Sequence, residues 1–202
     1  QLVVYMDAAM EMLRGQYPKK EILPGGILYY HIDDPVLESD TPLSDEEAEQ
    51  ALLFALRPDG LVNSGEEIYR AMDQNFEGKS QMIPVEIKKN GEISTARSKV
   101  ASTEEFAVIT RYVEHEIRQC GEAIYAGNIA VNPYRSDIET SCTYCPYASV
   151  CGMDAKIPGY EYRQFASMKK EEVLDQMQTE LARNRGKEER SDEMDEGTAE
   201  RH

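Results

Sequence analysis

The chain has 202 residues, with 22 Lys and Arg against 38 Asp and Glu and a formal net charge of -16 at pH 7. That balance excludes a general electrostatic grip on nucleic acid, which relies on clustered cations, so any DNA contact must be local or made by parts outside this sequence. No apolar run approaches the ~20 residues of a membrane span and no basic-then-apolar signal opens the chain, so a cytoplasmic protein with reduced thiols and no membrane partner is expected.

A hydrophobic share of 41% without tryptophan suits one good-sized core. The chain opens on Gln1 in mid-pattern, with Leu2, Met6, Ala9, Met10 and Leu13 on one helical face before Gly15. A fragment of a longer protein is therefore expected. Ile27-Leu-Tyr-Tyr-His-Ile32, after Pro24-Gly25-Gly26, predicts a buried strand ended by Asp33-Asp34-Pro35. Ser44-Asp-Glu-Glu47 has the capping-box pattern of a helix running to about Arg57. Pro58-Asp59-Gly60 predicts a break, and Ser64-Gly-Glu-Glu67 opens a short helix ending near Gln74.

Val85-Glu-Ile-Lys88 and Glu92-Ile-Ser-Thr95 flank Asn90-Gly91, which predicts a hairpin with a type I′ turn. Ser102-Thr-Glu-Glu105 caps the longest helix, with Phe106, Ile109, Val113, Ile117 and Cys120 at core spacing through about Ala126. An extended path leads to the cysteines. From Ser167 a C-terminal helix is expected over 166–186, with Val173, Leu174, Met177 and Leu181 aligned; the acidic 187–202 stretch reads as a solvated, disordered tail. The fold class is mixed α/β of the α+β kind.

The strongest chemical signal is Cys142, Cys145 and Cys151, a C-x2-C-x5-C array in a chain of four cysteines. Thiolates at this spacing can converge on zinc or on an iron–sulfur centre, and spacing alone does not separate the two. Pro146 suits a tight turn around either. A four-ligand site lacks one ligand here. Cys120, on the apolar stripe of the long helix, and His115, off that stripe and expected to be exposed, are the candidates within the chain. His31 sits in the aromatic strand as an expected hydrogen-bonded core histidine.

Glu86-Ile-Lys88 mimics the acid-x-Lys step of metal-dependent nucleases, with Asp33 or Asp34 as the further acid. The same pattern arises on any solvent face that alternates before an Asn-Gly turn. The sequence has no Walker-type phosphate loop and no Gly-x-Ser-x-Gly elbow.

Together, Gln1-Leu-Val-Val-Tyr5, Gly26-Ile-Leu-Tyr-Tyr-His-Ile-Asp-Asp-Pro35, Ser98-Lys-Val-Ala-Ser102 and Cys142-Thr-Tyr-Cys-Pro-Tyr-Ala-Ser-Val-Cys151 with Pro158-Gly159-Tyr160 carry a family resemblance. The chain resembles the C-terminal part of AddB-type subunits of bacterial helicase–nuclease complexes, whose nuclease domain is a RecB-like member of the PD-(D/E)xK fold. The match runs from Gln1 to about Phe165, so residues 1–165 would form a truncated nuclease domain with helical insertions and a cysteine-rich C-terminal segment.

The resemblance implies that Cys142, Cys145 and Cys151 are three ligands of a 4Fe-4S cluster whose fourth cysteine lies upstream of Gln1, with Cys120 not corresponding to it. A chain lacking that end should hold the cluster poorly. It also implies that Gln1 and Tyr5 form the family's Gln-x3-Tyr motif and support a site for Mg2+ and DNA. The catalytic Asp and Asp-x-Lys step precede that motif in the family, so Glu86-x-Lys88 falls in the wrong order and the fragment is expected to be inactive. The implied parent is an exonuclease that processes DNA double-strand breaks with an AddA-type partner. The alternative is a zinc-holding interaction module, completed by Cys120 or His115, with no nuclease role.

Overall fold

The computed structural model of the chain describes residues 1–32, 34–137 and 139–199, with side chains through residue 185. Two compact units divide it, Gln1–Val113 and Glu114–His202.

The first unit begins with α1 (Leu2–Gln16), then β1 (Gly26–Tyr29), α2 (Asp45–Ala55), β2 (Asp59–Asn63), α3 (Glu66–Met72) and β3 (Val100–Ala101), and ends within α4 (Thr103–Tyr125). β2 is the centre of a three-stranded sheet, antiparallel to β1 and parallel to β3. The expected break at Pro58-Asp59-Gly60 is therefore this central strand. Gly60 makes it feasible: a Cβ there would lie 2.1 Å from the Ile27 carbonyl oxygen, and its φ of +148° suits glycine. β1 is shorter and more exposed than the buried strand expected, ending at Tyr29, because it is an edge with a partner on one side only.

Helix starts follow the predicted chemistry in two of three places. Ser44 and Ser102 each bond reciprocally with the glutamate three residues on: Glu47 and Glu105 donate backbone N–H to the serine Oγ and accept the serine N–H on Oε2. At α3 the cap is Gly65, without a side-chain bond of its own. Asn63 Oδ1 accepts the Gly65 N–H at 2.8 Å instead. The same buried amide donates to the Pro24 carbonyl at 2.8 Å and to Thr103 Oγ1 at 3.0 Å. One side chain thus ties the entrances of β1, α3 and α4 together.

The core lies in the middle of the sequence, where Val62, Tyr69, Phe76, Ile83, Val85, Ile87 and Val100 form one buried cluster. The hairpin at 85–95 forms as expected, but its turn differs. Lys88 N donates to Glu92 O and Gly91 N to Lys88 O, with Gly91 at φ +84° and no non-glycine residue at positive φ among the described residues. That is a three-residue loop, a type I turn followed by a left-handed glycine, which spares Asn90 the strained conformation a type I′ turn would require.

The second unit holds the rest of α4, β4 (Tyr134–Ser136), α5 (Ala148–Cys151), β5 (Arg163–Phe165) and α6 (Lys170–Ala199). β4 and β5 pair in parallel, and Tyr134 meets Phe165 edge-on at 5.9 Å. Leu174 is buried on α6, with Val173, Met177 and Leu181 half-buried beside it, the face the periodicity predicts. The α6 backbone runs on through much of the acidic stretch expected as a tail; residues 200–202 lie outside the described residues. The stripe predicted on α4 holds at Phe106 and fades toward the C-terminus, where Ile117 and Cys120 are exposed. No helix among the described residues is long and apolar enough to cross a membrane.

Candidate functional site

Two sets of sequence-predicted residues form distinct local structures, one in each unit. At the start of α1, Gln1 is the N-cap residue and Tyr5 lies one turn on, so both side chains share a face. Gln1 Nε2 donates to the Tyr5 hydroxyl at 2.8 Å. Both are exposed, and no side chain caps the first turn of α1. The pair therefore presents a phenolic O–H donor and an amide carbonyl acceptor to solvent.

The cysteine array is built from successive turns. Thr143 N donates to Thr140 O, Cys145 N to Cys142 O and Ala148 N to Cys145 O, and α5 then ends at Cys151 with Gly152 left-handed at φ +64°. Within 141–151 the cysteines are the residues that are not exposed. Tyr144, Tyr147 and Val150 stand out in solvent at 93%, 70% and 85% exposure, while all three thiols are free and half-buried. Free cysteine is among the side chains most often buried, so the half-buried thiols follow the usual order; what sets the segment apart is three of them within one run of turns. A segment organised around its sulfurs has this form, and its donor set suits a thiolate-bound centre.

A scan against family models matches residues 1–152 to the PD-(D/E)XK nuclease superfamily. The chain belongs to the PD-(D/E)XK nuclease superfamily. The matched span contains Gln1, Tyr5 and the whole cysteine array. Among curated relatives, the chain is 38% identical over 181 residues to an ATP-dependent helicase/deoxyribonuclease subunit of Thermoanaerobacter sp. (strain X514), covering 90% of this chain and 16% of that protein. Proteins of the same name from Lachnoclostridium phytofermentans and Clostridium botulinum (strain Hall) are 39% identical over 182 residues and 37% identical over 182 residues. These alignments cover 86% and 90% of this chain, and 15% and 16% of the relatives. The chain spans about a sixth of the length of the curated relatives it matches.

Membership in a nuclease superfamily sets aside a zinc module unrelated to nucleases. The other candidate ligands are placed accordingly. Cys120 is exposed on α4, whereas His115 is half-buried and its Nε2 lies 2.8 Å from Asn184 Nδ2. Among the described residues, no three His, Cys, Asp or Glu side chains are gathered where they could hold one metal ion, and this applies to Cys142, Cys145 and Cys151 as well as to Cys120 and His115.

Glu86 and Lys88 each face another charged side chain. Arg97 Nη1 donates to Glu86 Oε1 at 2.9 Å, and Lys88 Nζ faces Glu92 at 3.8 Å. Asp34 is exposed, and Asp33 lies outside the described residues. His31 is exposed rather than the core histidine expected, because β1 ends before it.

The structure adds one residue that spacing does not reveal. Tyr162 precedes β5, and its hydroxyl sits beside Cys142. Hydrogen bonding to Cys142, then burial, raises the phenol above its ordinary value; Thr140 and the Arg135 guanidinium, 5.6 Å from the ring centre, act in the opposite sense. The pairing of β4 with β5 brings these groups together.

Proposed function

We propose that this chain is part of the nuclease domain of a helicase–nuclease subunit that degrades DNA at double-strand breaks, working with an AddA-type partner in the cytoplasm. The name borne by its relatives supports the enzyme class. The three half-buried thiols within one run of turns carry the more specific reading, in which Cys142, Cys145 and Cys151 hold three corners of a 4Fe-4S cluster. Their three thiols supply its donor chemistry, and Thr140, through the Cys142 N–H it accepts at 3.2 Å, helps fix the first turn. The cluster's part is to staple the domain. Gln1 and Tyr5 orient substrate or water through the exposed hydroxyl and amide.

Mg2+ would supply water activation and charge neutralisation at the reacting phosphate. We do not assign the carboxylates that hold it to the Glu86–Lys88 pair, since Glu86 is engaged by Arg97 and Lys88 faces Glu92. The 202-residue chain by itself then leaves DNA intact.

The test compares the full-length subunit, assembled with its partner, with the 202-residue chain on linear DNA and Mg2+. Degradation by the assembly alone is expected, with iron and sulfide bound to the anaerobically purified subunit. Degradation by the short chain would overturn the reading that it lacks the active site. A full-length subunit carrying stoichiometric zinc and no iron would overturn the cluster.

A further inference from the structure

A concavity between α3 and the tip of the 85–95 hairpin gathers cations in an otherwise acidic chain. Its volume is about 600 Å3, and Arg70, Phe76, Glu77, Ile87, Lys88 and Lys89 line it together with the glycines of two turns. Three cations and Glu77 line it, with Glu66 and Glu92 at the margins of Arg70 and Lys88. Against a net charge of -16, a patch where the charges balance and Lys89 is left over at the tip is where a polyanion meets least repulsion.

The walls are tied to the core. Phe76 and Ile87 belong to the core cluster. Arg70 is pinned beside them: Nη1 donates to the Phe76 carbonyl at 3.0 Å, and the guanidinium lies 5.1 Å from the Phe76 ring centre. Lys88 and Lys89 ride a turn closed by two backbone hydrogen bonds, and Asn90 Nδ2 holds Glu92 Oε2 at 2.9 Å across it. The charges are only loosely engaged by neighbours. Lys88 Nζ is 3.8 Å from Glu92 and Arg70 Nε is 3.9 Å from Glu66. Lys89 is exposed and makes no ion pair among the described residues.

The chemistry of the lining selects the ligand. Lysine ammoniums are compact point charges with rotatable donors, suited to phosphate oxygens presented in series. Phe76 is buried, so its face is not open to a base. Contacts of this kind position a strand without reading sequence.

We propose that this concavity docks the phosphodiester backbone of nucleic acid, with Lys88 and Lys89 neutralising phosphates and Arg70 as the fixed third cation. It rests on the DNA-directed function proposed above and adds a holding point for the strand away from Gln1 and Tyr5.

Fluorescence anisotropy of the 202-residue chain with labelled oligonucleotides, single-stranded in one arm and blunt duplex in the other, tests it from about 50 to 200 mM salt. The double variant Lys88→Glu/Lys89→Glu is expected to bind at least about tenfold more weakly and to lose about two from the slope of log affinity against log salt. The arm that loses affinity identifies the strand form. Lys19→Glu/Lys20→Glu, with the same change in net charge, should leave both readouts unchanged.

Unaltered binding by the double variant, equal loss in the control variant, absence of binding by the parent chain, or equal competition by poly-glutamate would each overturn the proposal. Cleavage and iron content of the assembled subunit are read separately. An active, iron-bearing assembly together with an indifferent double variant removes this docking site and leaves the nuclease reading in place.

Discussion

Gln1 Nε2 donates to the Tyr5 hydroxyl across 2.8 Å, one helical turn apart, on a face of α1 that is open to solvent. Such a bond between exposed groups contributes little to stability, because water offers each partner the same interaction. Tyr5→Phe should therefore shift the free energy of unfolding by less than about 0.5 kcal/mol. In the full-length subunit the same change should lower kcat on linear DNA at least about tenfold by removing a positioned hydroxyl. Denaturant unfolding and steady-state cleavage check the two halves; a large loss of stability with unchanged kcat would make the pair structural.

The thiols divide by environment. Cys145→Ser in the full-length subunit should abolish bound iron and acid-labile sulfide, whereas Cys120→Ser should leave both unchanged, since Cys120 stands exposed on α4. Metal analysis after anaerobic purification decides this. Equal iron loss in the two variants would return Cys120 to the ligand set.

Gly60 is held by proximity as well as by conformation. Gly60→Ala must place its Cβ where the Ile27 carbonyl oxygen now lies, at 2.1 Å, with the backbone at φ +148°. β1 and β2 would have to separate at the Leu28↔Gly60 pair. A loss of roughly 3 kcal/mol or more, or failure to fold, is expected, whereas Gly15→Ala, in open space within α1, should be neutral or stabilising. Urea midpoints of the two variants measure the contrast.

Asp59 and Lys99 give the first unit an acid-sensitive contact. Lys99 Nζ donates to both Asp59 oxygens at 2.7 Å, and this bond holds the carboxyl below its ordinary value near 3.8 despite the opposing effect of burial; the Gly60 N–H adds to it. A carboxyl depressed on folding stabilises above its unfolded value and loses that contribution as pH falls through the folded value. The stability difference between parent and Lys99→Met should thus be constant at neutral pH and disappear as pH drops below about 3.8. Both side chains are more than half exposed, so the plateau should be ~0.2–1 kcal/mol and shrink with salt. A difference that grew toward low pH would contradict the assignment.

Local chemistry was legible in the order of residues alone. Ser44 and Ser102 each precede a glutamate at the spacing a capping box requires, and both boxes form. Asn90-Gly91 marks the hairpin, although the glycine alone takes the left-handed conformation. Patterning misled where it could not see neighbours. The aromatic run at 27–32 has the composition of a buried strand, yet an edge position leaves Tyr29 and Tyr30 exposed. Pro58-Asp59-Gly60 has the composition of a turn, yet close packing against Ile27 makes Gly60 part of the central strand.

By itself the amino-acid order determined the mixed helix-and-strand character, the capped helix starts, the spacing of three thiols and the family, because these depend on residues a few positions apart or on the pattern as a whole. The tertiary structure decided which groups meet. Asn63 reaches Pro24 and Thr103, Lys99 reaches Asp59, Tyr162 reaches Cys142, and Arg70 comes beside the lysines of the hairpin tip. Strand register and turn closure bring these partners together across long sequence separations. The same closure turns Cys142, Cys145 and Cys151 inward while their tyrosine neighbours face water.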